Sequence, residues 1–279
     1  GMKIMEAKSW GVEDLSVKQR IKKVIDAGVD QFGGNMKTKD LTELVEDGEI
    51  SEARIDESVR RLLRVKFKMG LFDDPFLDVA SAGQVVGNPE FVEKGKQAQR
   101  KSLVLLKNNM NPDSTHVLPL KHNPKIYIEN IEQETAEKYA TVVDSLADAD
   151  FAVLRLQAPF EPRTGDMIEK MFHQGDLDFK EPELSRIVEI MQQKPTVVCI
   201  YLDRPAVIPE IAENAAGLLC DFGAFDDAVL DIIFGKFNPS GRLPFELPLS
   251  MEAVRNQMED VPYDSELPLY EFGFGLTYK

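Results

Sequence analysis

The sequence predicts an α/β fold: a three-layer α/β/α sandwich around a mainly parallel sheet of about six strands. Two observations carry this. From residue 102 onward, short apolar runs of strand length alternate with amphipathic helical stretches. The central run Thr196–Leu202 is nearly all apolar rather than apolar at every second position, and Gly217–Phe222 is another strand of the buried type. A strand buried on both faces needs that pattern, and parallel sheets covered by helices on both sides supply it.

The expected strands are Ser102–Lys107, Lys125–Glu129, Phe151–Leu156, Thr196–Leu202, Gly217–Phe222 and a last short one at Leu243–Leu247. Between them, helices are expected at Glu132–Tyr139, Pro182–Gln192, Pro205–Asn214 and Asp226–Phe234. Asn88-Pro89-Glu90 opens a further helix by an asparagine cap and an N1 proline. Residues 249–279 are rich in proline and aromatics and read as an irregular tail over the domain.

The stretch before the sheet is organised around one helix. Ser51 is a good N-cap, Arg54–Phe67 holds neither glycine nor proline, and Ile55, Val59, Leu62, Leu63 and Phe67 share a face. Gly70 ends it and Pro75 prevents a restart. Earlier still, Ser16–Ala27 and Leu41–Glu46 read as helices, residues 2–12 as a damaged strand and loop, and Val29–Phe32 as a short strand. One or two parallel strands cannot close a sheet, so this piece is incomplete by itself. Phe76–Asn88 lacks a period and reads as a linker. The boundaries expected are therefore 1–75, 76–100 for linker and entry helix, and 101–279 for the sandwich.

Composition excludes several classes. The net charge of −15 argues against nucleic acid or an anionic membrane as partner, since both need clustered cations. No apolar run approaches the length of a membrane span. No signal peptide opens the sequence; Gly1 reads as a cloning remnant and Met2 as a start, which makes a cytoplasmic location the simplest expectation. Cys199 and Cys220 sit in apolar runs and are expected as buried free thiols. No glycine-rich phosphate loop and no Gly-x-Ser-x-Gly elbow is present, so neither a nucleotide cofactor nor α/β-hydrolase chemistry is expected.

Ligands of open parallel sheets sit beyond the carboxyl ends of the strands. Three loops qualify: the long excursion after Phe151–Leu156, then Asp203-Arg204-Pro205, then Gly223-Ala224-Phe225. The excursion carries Glu161, Arg163, Asp166, His173, Asp176 and Asp178. A carboxyl there can act as a general acid if burial raises its pKa. On the residues alone, solvated loop charges are the competing reading. His173 has no second histidine beside it, so no metal is expected.

At this point the motifs resemble a known family. Ile50–Phe72 is similar to the helix joining the two halves of family 3 glycoside hydrolases. Lys101-Ser-Leu-Val-Leu-Leu-Lys-Asn108 with Leu118-Pro-Leu120 resembles the opening of their second domain, and Gly241-Arg-Leu-Pro-Phe245 with Phe272–Tyr278 its end. The resemblance implies retaining hydrolysis of β-glucosides between a (β/α)8-like barrel and an α/β sandwich. The barrel gives the nucleophilic aspartate and the sandwich the acid/base glutamate. It makes Glu161 the acid/base position and Asp176 the second choice, with Arg163, His173 and Asp178 as binding residues. Most of the barrel is then absent: residues 2–48 represent only its last strand or two, within a mainly helical remnant over 1–75. In Lys8-Ser9-Trp10-Gly11, Ser9 stands where the nucleophile motif has aspartate. A serine without a base cannot replace a carboxylate that carries a glycosyl ester.

The expectation is a β-glucosidase-like chain that is inactive in isolation and uses no cofactor. The alternative is a non-catalytic module that binds carbohydrate, docks on a separate barrel protein or self-associates. A β-glucoside or oligosaccharide is the expected ligand, and a homo-oligomer or a barrel partner the expected assembly. A decayed product without a role is a third possibility.

Overall fold

A computed structural model describes residues 11–32, 38–111, 114–121, 123–164 and 169–278. The chain divides into two compact units, Gly1–Val86 and Gly87–Lys279.

In the first unit every described element is a helix. Helix α1, Val17–Asp26, starts with a capping box between Ser16 and Gln19. Helix α2 is Thr38–Glu46 and α3 is Glu52–Lys68. Ser51 caps α3, accepting the Arg54 N–H at 3.2 Å. Ile21, Ile25, Leu44 and Ile50 form a small core with Val17, Phe32, Leu41, Val45 and Ile55 around it. Arg54 donates to the Ile25 carbonyl at 2.9 Å, and Ser58 donates to Asp30 at 2.8 Å, which tie α3 to the turn after α1. On the rest of its apolar face, Val59, Leu63 and Phe67 stay 43%, 37% and 61% exposed.

Two expectations for this unit need correction. Val29–Phe32 is no strand: the segment has no partner strand among the described residues and follows the turn at Gly28. The linker holds a helix, α4 at Val79–Val85, because Asp78 caps it by accepting the Ala80 N–H. The damaged strand expected at residues 2–12 lies almost wholly outside the described residues.

The second unit opens with α5, Pro89–Ser102, capped by Asn88 with proline in the first turn. The strands are β1 Val104–Asn108, β2 Lys125–Glu129, β3 Thr141–Val142, β4 Phe151–Gln157, β5 Thr196–Tyr201 and β6 Gly217–Asp221. They form one sheet in the order β1-β6-β5-β4-β2-β3. All neighbours run parallel except the β1–β6 pair. Between strands lie α6 Gln133–Ala136, α7 Glu183–Gln193 and α8 Pro209–Asn214, and α9 Asp226–Ile233 follows β6.

Both faces of the sheet are covered. One packs Leu154, Val198, Ile200 and Leu218 under Ile187 and Ile190 of α7 and Ile211 of α8. The other packs Val153, Val197 and Leu219 under Ala136 of α6 and Val229 and Ile233 of α9. Alternate residues of β5 thus enter opposite cores, which is why its sequence is nearly all apolar. Cys199 and Cys220 are buried free thiols, as expected.

The sixth strand is not the expected one. Leu243–Leu247 adds only an isolated bridge from Leu247 to Tyr270. Pro244 lacks an N–H, and the Leu243 and Leu247 amides bond to the tail carbonyls of Phe274 and Tyr270, both at 2.9 Å. The place at the sheet edge is taken by the two-residue β3. The tail also contains a helix, α10 at Met251–Asn256, capped by Ser250. Its end returns to the sheet, where Leu276 bridges Leu105.

Candidate functional site

The chain leaves β2 toward β3 on one side and places β4 on the other, so the strand order reverses between β2 and β4. At such a reversal the loops part and leave a crevice at the carboxyl ends. Here Asn130 follows β2 and Gln157 ends β4, and both line a cavity of about 430 Å³. The excursion after β4 folds over it, contributing Phe160, Glu161, Asp176 and Asp178 to its wall.

Glu161 is solvent-accessible at this wall. Its backbone N–H donates to the Gln174 carbonyl at 2.9 Å, pairing the start of the excursion with its return. Gly175 lies directly against the Glu161 side chain with φ +81°; a Cβ there would meet Glu161 carbons at 2.5 Å. Phe160 is 41% exposed, and its ring stacks on His173 with centroids 3.8 Å apart and planes 11° from parallel. His173 Nδ1 pairs closely with the Asp203 carboxylate from the loop after β5.

Asp176 differs from Glu161 in its electrostatics. Lys180 at 2.9 Å and Arg255 at 3.1 Å both contact it. Chiefly the Lys180 bond holds its carboxyl below the usual range. A carboxylate kept ionised orients neighbours better than it donates protons. Asp178 bonds the same Lys180 at 2.7 Å, and the two carboxylates hold that ammonium above its ordinary pKa. Arg163 is partly buried, and its Nε is buried without a hydrogen-bond partner among the described residues. Ser9 and Asp166 lie outside the described residues. Asp30, in the first unit, is bonded to Ser58 and Arg61.

Beside the crevice, the ends of β4 and β6 are joined through one buried side chain, Asp221. Asp221 is fully buried and accepts the N–H groups of Gly223 and Ala224, each at 2.9 Å. Arg155 reaches it at 3.4 Å and contacts Asp226 closely. This fixes the third loop, whose Phe225 stays 68% exposed.

The structure thus gathers Glu161, Asp176 and Asp178 on one cavity and stacks His173 behind Phe160. The sequence reading missed Phe160, Lys180 and Arg255 as members. It did flag Asp203 and Arg204, by their place after β5. Among the described residues, no group of three or more His, Cys, Asp or Glu side chains is placed to hold a metal ion. None of the described helices is long and apolar enough to cross a membrane.

Comparisons with known proteins agree with this architecture. A probable beta-glucosidase C of Aspergillus flavus is 49% identical over 278 residues, covering 98% of this chain and 43% of its own length. A periplasmic beta-glucosidase/beta-xylosidase of Dickeya chrysanthemi is 37% identical, covering 96% of this chain and 41% of its own. The chain therefore spans less than half the length of these relatives. A solved beta-glucosidase from Listeria innocua, in complex with glucose, superimposes with a TM-score of 0.67 at 22% identity, over 94% of this chain and 44% of that one. The model of the glycosyl hydrolase family 3 C-terminal domain matches residues 125–278, and the chain belongs to that family.

Proposed function

We propose that this chain supplies the acid/base side of a retaining, β-glucosidase-type active site, with Glu161 as the acid/base. The observation that carries this is the position of Glu161: at the strand-order reversal, on a cavity wall beside an exposed aromatic ring, and free of the ion pairs that hold Asp176. In the first step its carboxyl protonates the glycosidic oxygen as that bond breaks. In the second its carboxylate takes a proton from the water that attacks the glycosyl–enzyme. The exposed face of Phe160 offers a platform for a pyranose ring, and Asp178 and Arg163 offer polar contacts. The ligand class is a β-glucoside or oligosaccharide, as the names of the relatives suggest.

Retaining chemistry needs a second carboxyl about 5–5.5 Å from the first. Asp176 is tied to two cations, and Ser9 stands at the nucleophile motif. On this reading the 279-residue chain alone does not turn over. The test is release of p-nitrophenol from its β-glucoside by the pure chain and by Glu161→Gln. Robust release that the substitution abolishes would overturn the inactivity and support the role of Glu161. Release that survives the substitution would remove that role.

A second reading has its own observation. Val59, Leu63 and Phe67 form an exposed apolar row on α3, which favours docking on another protein or self-association. Light scattering checks it: a monomer at all concentrations, with no binding of an apolar dye, would remove it.

A further inference from the structure

We infer that Asp203 and Arg204, the two residues on the turn after β5 and Leu202, are positioning residues for Glu161. The inference rests on the acid/base reading of Glu161 given above. Glu161 stands on a loop, and a loop carboxyl needs outside support to hold a reactive geometry. Among the described residues the excursion after β4 has no strand of its own, and residues 203–207 supply hydrogen bonds that hold it.

The connection can be followed atom by atom. Arg204 donates from Nη1 to the Gln174 carbonyl at 2.6 Å and from Nη2 to the Gly175 carbonyl at 2.7 Å. The Gln174 carbonyl also accepts the Glu161 N–H at 2.9 Å. A single oxygen thus joins the guanidinium to the backbone of Glu161. Gly175, gripped by the other arm of the fork, is the residue against which the Glu161 side chain packs. One residue earlier, Asp203 holds His173, whose ring lies flat on Phe160. Further along, the Val207 N–H donates to the Leu177 carbonyl at 2.9 Å, and Val207 bridges Asp178.

The planar fork of arginine suits two successive carbonyls, and its charge strengthens both bonds. Its own base is rigid, because β5 is buried through Ile200 and Leu202 follows buried. The path therefore runs from the packed centre of the sheet, through Asp203 and Arg204, to residues 173–175, and from there to Phe160 and Glu161.

Amide hydrogen exchange on the intact 279-residue chain reads this without turnover. In Arg204→Met the Glu161 amide should exchange about 10- to 100-fold faster, the factor expected when charge-assisted bonds at a shared carbonyl are lost. Arg204→Lys should recover part of the protection, and Asp203→Asn, which keeps an acceptor for His173, should lose less than Asp203→Ala. Amides of Val198 and Leu218 should keep their protection in all four variants. Unchanged Glu161 exchange in Arg204→Met would overturn the inference. Equal loosening of Val198 and Leu218 would overturn it too, since Arg204 would then be a residue of general stability. The acid/base reading fails separately, if the pure chain does release p-nitrophenol and Glu161→Gln leaves that release untouched, while Arg204→Met still frees the Glu161 amide.

Discussion

Gly175→Ala isolates the contact that shapes the candidate site. Two costs arise. The backbone at φ +81° lies in the left-handed region, which a Cβ disfavours by roughly 1–2 kcal/mol. The new Cβ would also sit 2.5 Å from Cγ and Cδ of Glu161 and 2.8 Å from its Cβ. Rotation of the glutamate tip cannot relieve the last of these, so the backbone at 161 must move. Overpacking costs about 1–3 kcal/mol in a closed core, and an exposed wall yields at about half of that. Gly223→Ala is the control: its φ is +102°, but its nearest new neighbour is Tyr201 Cε2 at an ordinary 3.8 Å. Urea unfolding should show Gly175→Ala less stable than Gly223→Ala by about 1 kcal/mol. The loss is capped if the excursion opens locally before the core does, and faster Glu161 amide exchange would then report it. Combining Gly175→Ala with Glu161→Gly should restore the difference as a favourable coupling of about 1 kcal/mol. Strict additivity, or equal losses for the two glycines, would show that Glu161 does not pack on Gly175.

Three further outcomes are expected. Asp231 is nearly buried between Arg100 Nε and the Tyr139 hydroxyl, each at 2.6 Å; Asp231→Ala removes both bonds but leaves Arg100 its pair with Glu93 at 2.7 Å, and should cost about 1–3 kcal/mol in urea unfolding. Gly241→Ala drives a Cβ to 2.4 Å from the Leu103 carbonyl oxygen, where only backbone can yield; a loss of about 1–3 kcal/mol or more is expected by the same assay. Stability should also fall in alkali. Burial raises Tyr270 from an ordinary 10.0 to about 12, and raises Tyr139 and Tyr278 as well. A folded pKa above the unfolded one gives stability that is complete below pH 10 and lost as pH rises through 12. Denaturant midpoints measured from pH 8 upward check the sign, and Tyr278→Phe should make the decline shallower.

Helix caps were legible because they are local. Ser51 and Asn88 do what their sequence contexts require, and the largely apolar β5 and β6, buried along almost their whole length, declare two covered faces. The errors fall where pairing is decided at a distance. Leu243–Leu247 has strand composition, yet its amides bond to Tyr270 and Phe274 in the tail, whose return to the sheet is not visible locally. Thr141–Val142 is too short to show a period, and its place follows from the edge that β2 leaves open. Within the site, chain order placed Glu161, His173 and Asp176 on one excursion, but not their partners. Arg255 reaches Asp176 from α10, and Arg204 reaches Gln174 from the loop after β5.

By itself, then, the sequence determined the alternation of strands and helices, the two-faced core and the loops that could carry chemistry. These depend on side-chain period, on caps and on burial, which are properties of neighbours along the chain. Only the tertiary structure decided which of two loop carboxyls is neutralised by cations and which is left free, and what holds the free one in place. A carboxyl's charge state depends on what lies within a few ångströms, and here those groups come from residues up to 79 positions away.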